Sequence, residues 1–310
     1  MTLHQTVIGC DVSKSRLDLF DNDSRQFSSI NNHQSAIAQW ADSLEQRPVL
    51  VVFEATGGFD RMLLRQLDAH NIRYARVNPA RARDFARASG VLAKTDRLDA
   101  KVLARMGTQL GLQPDAIPSP QRLEIAELSS RRGQLVESRK QEKTRAHLEA
   151  DDHIKRSLER HIAWLNGEIA RFDQAIAAKI KACEQIRQQV ALLTSIPGIG
   201  AVTATILVAL LPELGTRSRR TIAALAGLAP INHDSGRFRG QRRIRGGRRR
   251  VRDALYMAAL SSSRSCQRFK AFYQERLKTN PKAKPALIAL ARKILTIANS
   301  VIRDQKPFTA

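Results

Sequence analysis

The 310 residues carry 52 Lys and Arg against 29 Asp and Glu, a formal charge of +23 with a pI near 11.0, enough chain for two domains and a surface suited to a polyanion. No apolar run approaches the roughly 18 residues of a membrane span, and no signal-peptide core opens the chain. Cys10, Cys183 and Cys266 are widely separated and lack CxxC spacing, which excludes a disulfide frame or a zinc site and fits a reduced, cytoplasmic protein.

The first part alternates strand and helix signals. Thr6–Val12 and Arg16–Phe20 read as two strands of a meander, with Arg25–Ile30 a weaker third. A helix over Ala36–Leu44, the buried strand Val49–Phe53, a helix near Phe59–His70, the strand Arg73–Val77 and helices either side of Gly90 follow. Strands first, then alternation, predicts a mixed α/β sheet with helices packed on it. Four carboxylates stand out in this part. Asp11 ends Val7-Ile8-Gly9-Cys10, Glu54 ends Val49–Phe53, and Asp96 and Asp99 lie three apart before Ala100. Asp and Glu are poor strand formers, so a carboxylate at the tip of a buried strand needs a reason. A pair at i and i+3 shares one helix face. Together the four suit Mg²⁺ or Mn²⁺, hard cations that take oxygen ligands, and two such ions serve phosphodiester chemistry.

Pro114, Pro118 and Pro120 punctuate a linker. Beyond it, Ile162, Leu165, Ile169, Phe172, Ile176, Ile180, Cys183, Ile186, Val190 and Leu193 step by threes and fours. That spacing predicts a coiled-coil seam, with self-association favoured over packing inside one chain. Asp151-Asp152 marks a break before it. The expected organisation is a catalytic domain over 1–113, a linker over 114–120, coiled-coil helices over 121–193 and a mostly helical C-terminal domain over 194–310.

The last part holds most of the excess charge: residues 195–310 contain 23 Lys and Arg against 5 Asp and Glu, a net of +18. It opens with Ser195-Ile196-Pro197-Gly198-Ile199-Gly200 and the helical run Ala201–Leu211, the pattern of a helix-hairpin-helix. Gly198 and Gly200 would let backbone N–H groups approach a phosphate. After the irregular stretch from Pro230 come nine arginines in sixteen residues: Arg237, Arg239, Arg242, Arg243, Arg245, Arg248, Arg249, Arg250 and Arg252. A solvated face would mix signs, and this run meets no acid before Asp253, so it predicts phosphate binding. Val251–Leu260 and Pro285–Ile302 read as closing helices. Ser235, before Gly236, reads by itself as a turn residue.

Taken together, Gly9-Cys10-Asp11-Val12-Ser13-Lys14, Phe53-Glu54-Ala55-Thr56-Gly57, Val77-Asn78-Pro79-Ala80 and Lys94-Thr95-Asp96-Arg97-Leu98-Asp99-Ala100 resemble the N-terminal half of the DEDD-motif transposases. These are the bridge-RNA-guided insertion-sequence recombinases, related to the pilin-gene site-specific invertase. Ile196–Gly200, Leu225-Ala226-Gly227-Leu228-Ala229-Pro230 and Ser235-Gly236 with the arginine run are similar to that family's C-terminal transposase domain. The resemblance implies a RuvC-like, RNase H-type domain whose metal-binding tetrad is Asp11, Glu54, Asp96 and Asp99. It also implies Ser235 as a nucleophile leaving a transient phosphoserine, donor and target DNA as substrates, and a structured bridge RNA as guide. Dimers or tetramers, and a cytoplasmic, nucleoid-associated location, belong to the same implication. Val12-Ser13 stands where Thr-Ala is commoner, a swap conservative in size. Two other readings remain: a structure-selective, metal-dependent endonuclease of the junction-resolving type, and a nucleic-acid-binding protein whose tetrad is inert.

Overall fold

Apolar on both faces, Thr6–Val12 becomes β1 at the centre of a five-stranded sheet. The computed structural model describes residues 6–44, 47–91, 96–115, 119–231, 234–235, 238–240 and 242–309. The chain divides into two compact units, Met1–Ile117 and Pro118–Ala310. In the first, β2 (Arg16–Asp21) and β3 (Phe27–Asn31) extend the sheet from β1 as an antiparallel meander. The strands β4 (Val49–Glu54) and β5 (Arg73–Val77) add in parallel on the other side, giving the order β3-β2-β1-β4-β5. Parallel central strands are covered on both faces and so read as continuous apolar runs, as Val49–Phe53 does. The helices α1 (Gln34–Asp42) and α2 (Arg61–Ala69) contribute Ile37, Leu63 and Leu67 to the core on one face, with Ile8, Cys10, Val51 and Phe53. On the other, α3 (Pro79–Ala88) and α4 (Asp96–Gln109) pack Ala82, Leu103 and Met106 on Val7, Leu50 and Val52.

The second unit is helical. Ser119 caps α5 (Pro120–Leu148), its hydroxyl accepting from the Arg122 N–H, and Pro120 takes the first turn, where no N–H is needed. Asp151 caps α6 (Asp152–Ala182), so the expected break at Asp151-Asp152 is the turn of a helical hairpin. The pairs Arg132–Asp173, Arg139–Asn166 and Lys179–Glu124 run antiparallel along it. Two sequence expectations are corrected here. The seam has a partner in the same chain: Leu165 and Ile169 are buried with Leu135 of α5, and Ile176 with Ile125. Nor is it one helix, because Cys183 adopts an extended conformation between α6 and α7 (Glu184–Thr194).

The remaining helices are α8 (Ala201–Leu210), α9 (Arg219–Leu225), α10 (Arg249–Ser265), α11 (Gln267–Thr279) and α12 (Ala283–Asp304). They share one core with α7, among them Leu193, Leu207, Ile222, Leu255, Phe269, Leu290 and Ile294. The helix α12 qualifies the expectation of no long apolar run, for its 22 residues are long and apolar enough to cross a membrane. Its apolar face, from Leu287 to Ile302, is buried in the helical core instead. Between α9 and α10, where an irregular stretch was expected, four two-residue strands pair as nested hairpins. The outer pair is β6 (Pro230–Ile231) with β9 (Arg243–Ile244), and the inner pair is β7 (Asp234–Ser235) with β8 (Phe238–Arg239).

Candidate functional site

Strand register sets Asp11 and Glu54 on neighbouring strands, and helix packing lays α4 on the same face. Cys10 pairs with Phe53 across the parallel β1–β4 ladder, so the next residues, Asp11 and Glu54, end neighbouring central strands on the same face. That face is the one α4 covers. An added Cβ at Gly9 would lie 1.9 Å from the Ala100 carbonyl oxygen and 2.5 Å from the Ala104 nitrogen. An added Cβ at Gly107 would lie 2.6 Å from a methyl of Val7 and 2.8 Å from one of Val52. Along β1 from Val7 to Gly9, α4 therefore runs backwards from Gly107 to Ala100. Four more helical residues rise about 6 Å, and two more strand residues about 6.6 Å. Continuing both carries the start of α4, at Asp96 and Asp99, toward Asp11. Asp11, Glu54 and Asp99 are half-buried; the side chain of Asp96 lies outside the described residues.

A further acid escaped the sequence reading. Asp18 of β2 is directly opposite Asp11 in the antiparallel ladder, is 7 % exposed, and accepts a 3.1 Å hydrogen bond from Arg16 Nε. Its signal in the sequence was weak: an acid between Leu17 and Leu19, on the polar phase of an alternating strand. Burial chiefly, then the charges of Asp11 and Asp18, pushes the Cys10 thiol well above its usual range. Cys10 is therefore a protonated core residue.

Asp11, Glu54, Asp96 and Asp99 offer carboxylate oxygens, the ligands that a divalent hard cation takes. Among the described residues, no three His, Cys, Asp or Glu side chains converge tightly enough to hold one.

The remaining candidates lie in the second unit. Ser235 pairs with Phe238 at the inner end of the nested hairpins, with residues 236 and 237 between them; its side chain lies outside the described residues. The turn from α7 to α8 exists, but Gly198 has a packing reason. At φ +90°, its Cβ would meet the Ala258 carbonyl oxygen at 2.4 Å and Ser262 Cβ at 2.8 Å. Gly200, the N-cap of α8, is exposed, and an added Cβ there would meet nothing within 4 Å. The arginines separate into two groups. Arg242, Arg243 and Arg245 are exposed, and Arg249 is exposed with Asp253 at 3.5 Å. By contrast, Arg248 grips the buried carboxylate of Glu213 through both terminal nitrogens. Arg250 donates to the Ser129 carbonyl at 2.6 Å, and Arg252 to that of Gly246 at 2.7 Å. Arg237, and the side chain of Arg239, lie outside the described residues.

Comparison with known proteins finds transposase families and a gene-inverting protein among those this sequence is similar to. Residues 8–149 match a transposase family of the DEDD IS110 type, and residues 190–274 match the transposase IS116/IS110/IS902 family. The pilin gene-inverting protein of Moraxella bovis is 28% identical over 319 residues, covering 99% of this chain and 98% of that protein. The Moraxella lacunata protein of the same name shows the same identity and coverage. The insertion element IS110 43.6 kDa protein of Streptomyces coelicolor is 28% identical over 134 residues, 42% of this chain and 33% of that protein.

Proposed function

Because the chain carries both transposase domains of the IS110/IS116/IS902 family, we propose that it is a DNA recombinase that cuts donor and target strands and rejoins them through Ser235. The observation that carries this reading is the Cys10–Phe53 register, which ends two central strands in Asp11 and Glu54 beneath the helix bearing Asp96 and Asp99. Those four would hold Mg²⁺ or Mn²⁺, which supplies charge stabilisation and a lowered pKa for an attacking hydroxyl. The sheet order β3-β2-β1-β4-β5 supports an RNase H-type scaffold by analogy. Ser235, at the end of a short strand, would attack the phosphorus as its proton passes to water and the 3′ or 5′ oxygen leaves as a free hydroxyl. The phosphoserine bond conserves energy for rejoining. Arg242, Arg243 and Arg245 would stabilise phosphoryl charge. The guide is a structured RNA, which the +18 charge of residues 195–310 suits. Self-association is part of the proposal, and the exposed Leu148, Ile154 and Trp164 of the α5–α6 hairpin are suited to it.

One observation favours a second reading, the junction-resolving endonuclease. The carboxylates belong to Met1–Ile117 and Ser235 to Pro118–Ala310, so a water-using cut needs only the first unit. Trapping a protein–DNA adduct decides between them. The recombinase forms the adduct, and both Ser235→Ala and Asp11→Asn lose it while still binding DNA. An adduct-free parent whose cleavage survives Ser235→Ala establishes the nuclease instead.

A further inference from the structure

The arginine run borders a cleft whose other wall lies outside the run. Between the β6–β9 pair and the helices α11 and α12 is a concavity of about 830 Å³, within the range of small-ligand sites. Six cations line it: Arg242 and Arg243 from β9 and its approach, Arg276 from α11, and Lys284, Arg292 and Lys293 from α12. Among the described residues, no acidic side chain lines it and none of the six pairs with a carboxylate. Phe272 steadies two of them, with Lys293 Nζ 4.1 Å and Arg276 Cζ 5.1 Å from its ring centroid. Arg242, Arg243, Arg276 and Lys284 are exposed, whereas the apolar lining, Leu228, Ile244, Phe272 and Ile288, is buried or half-buried.

A cationic rim over an apolar interior has a specific complement. Duplex DNA presents a convex line of phosphates with its base faces stacked inside, so it satisfies the rim and leaves the interior wet. An unpaired nucleotide carries both chemistries, a phosphate for the rim and a flat apolar face for the interior. We propose that this cleft binds an extrahelical nucleotide, its phosphate on Arg276 and Lys293 and its base against Ile244 and Ile288. The inference rests on the recombinase reading for the presence of nucleic acid, but it assigns a task distinct from strand cutting: holding a base turned out of a duplex.

The test compares full-length protein on a short DNA duplex with one bulged fluorescent adenine analogue, on the same duplex fully paired, and on the bulged RNA counterpart. The parent binds a bulged duplex on the order of tenfold more tightly than the paired one, the scale of one stacked base, and the analogue's emission changes. The RNA arm identifies which strand supplies the nucleotide. The double variant Arg276→Gln/Lys293→Gln loses the preference: its affinity for the bulged duplex falls about tenfold further than for the paired one, which loses only the rim's share. Ala289→Phe, which fills the cleft without altering charge, also loses the preference, and decides the matter if the double variant melts early. Equal binding of bulged and paired duplexes by the parent, a preference that survives Ala289→Phe, or an equal loss on both duplexes in the variants overturns the proposal. Adduct formation on the same proteins keeps the two readings apart. A parent that forms adduct without bulge preference loses only the cleft, and one with bulge preference but no adduct loses only the recombinase assignment.

Discussion

Gly9 has no functional group, yet it sets the distance between the carboxylate of β1 and those of α4. Gly9→Ala would force its Cβ into the Ala100 carbonyl, and backbone on both sides must move. We expect a loss of about 1–3 kcal/mol, read as a lower melting temperature, and a fall in cleavage larger than the unfolded fraction explains. Unchanged cleavage in a stably folded Gly9→Ala protein would show that α4 does not position the acids. Arg248 presents the converse case. Its sequence neighbourhood suggests a phosphate ligand, but the side chain neutralises Glu213, which is 3 % exposed. Arg248→Ala strands a buried charge and is expected to cost about 3 kcal/mol while leaving the salt dependence of DNA binding unchanged. A flattened salt slope with no stability loss would return Arg248 to the binding surface. Asp11 and Glu54 were legible because acids at the ends of apolar strands need a cause, and Asp99 because it shares a helix face with Asp96. Asp18 was not, because an acid on the alternate phase of an edge-side strand is ordinary, and only the ladder opposite Asp11 gives it meaning.

Periodicity in α6 was visible, and the identity of its partner was not. A stripe at three-four spacing states that something covers it, in the same chain or another. The covering helix, α5, offers few buried apolar residues, chiefly Ile125 and Leu135, with arginines and glutamates between, so it carries no matching stripe. Its pairing rests on side chains such as Arg132 with Asp173 as much as on apolar contact. Ile169→Asp therefore buries a carboxylate inside the hairpin, at an expected cost of about 3 kcal/mol. Circular dichroism should show earlier melting of helix, and light scattering should show no clean conversion of an intact oligomer to folded monomers. A folded, equally stable monomer would mean the seam joins protomers after all. The nested hairpins around Ser235 were missed for a related reason: strands of two residues lie below what alternation can register, and pairing alone defines them.

At the scale of the molecule, net charge points to the second unit as the polyanion surface, yet Arg248, Arg250 and Arg252 of the run bond within the protein. If six phosphates are neutralised, log K falls with log salt at a slope of about −5. Arg242→Ala/Arg243→Ala should flatten it by about 2, since both side chains are exposed. A slope unmoved by this pair would place the electrostatic contacts elsewhere. The cations of α11 and α12 at the cleft were spread through helical stretches without forming a run, and folding gathers them beside the arginines. Charge clustered in sequence and charge clustered in space overlap here only at Arg242 and Arg243.

The α5–α6 hairpin has a mechanical consequence. From Ile176, buried in the helical core, back to Asp151 at the turn, α6 rises about 37 Å. An antiparallel pair tied by ion pairs on one side and apolar contacts on the other resists bending better than either helix alone, so motion at its base is transmitted outward with little loss. A tilt of about 10° where the hairpin leaves the core would sweep its tip through about 6 Å, close to two base-pair steps at about 3.4 Å each. Leu148 and Ile154, exposed near that tip, ride on a lever long enough to convert a small rotation of the core into a displacement of whatever the tip joins.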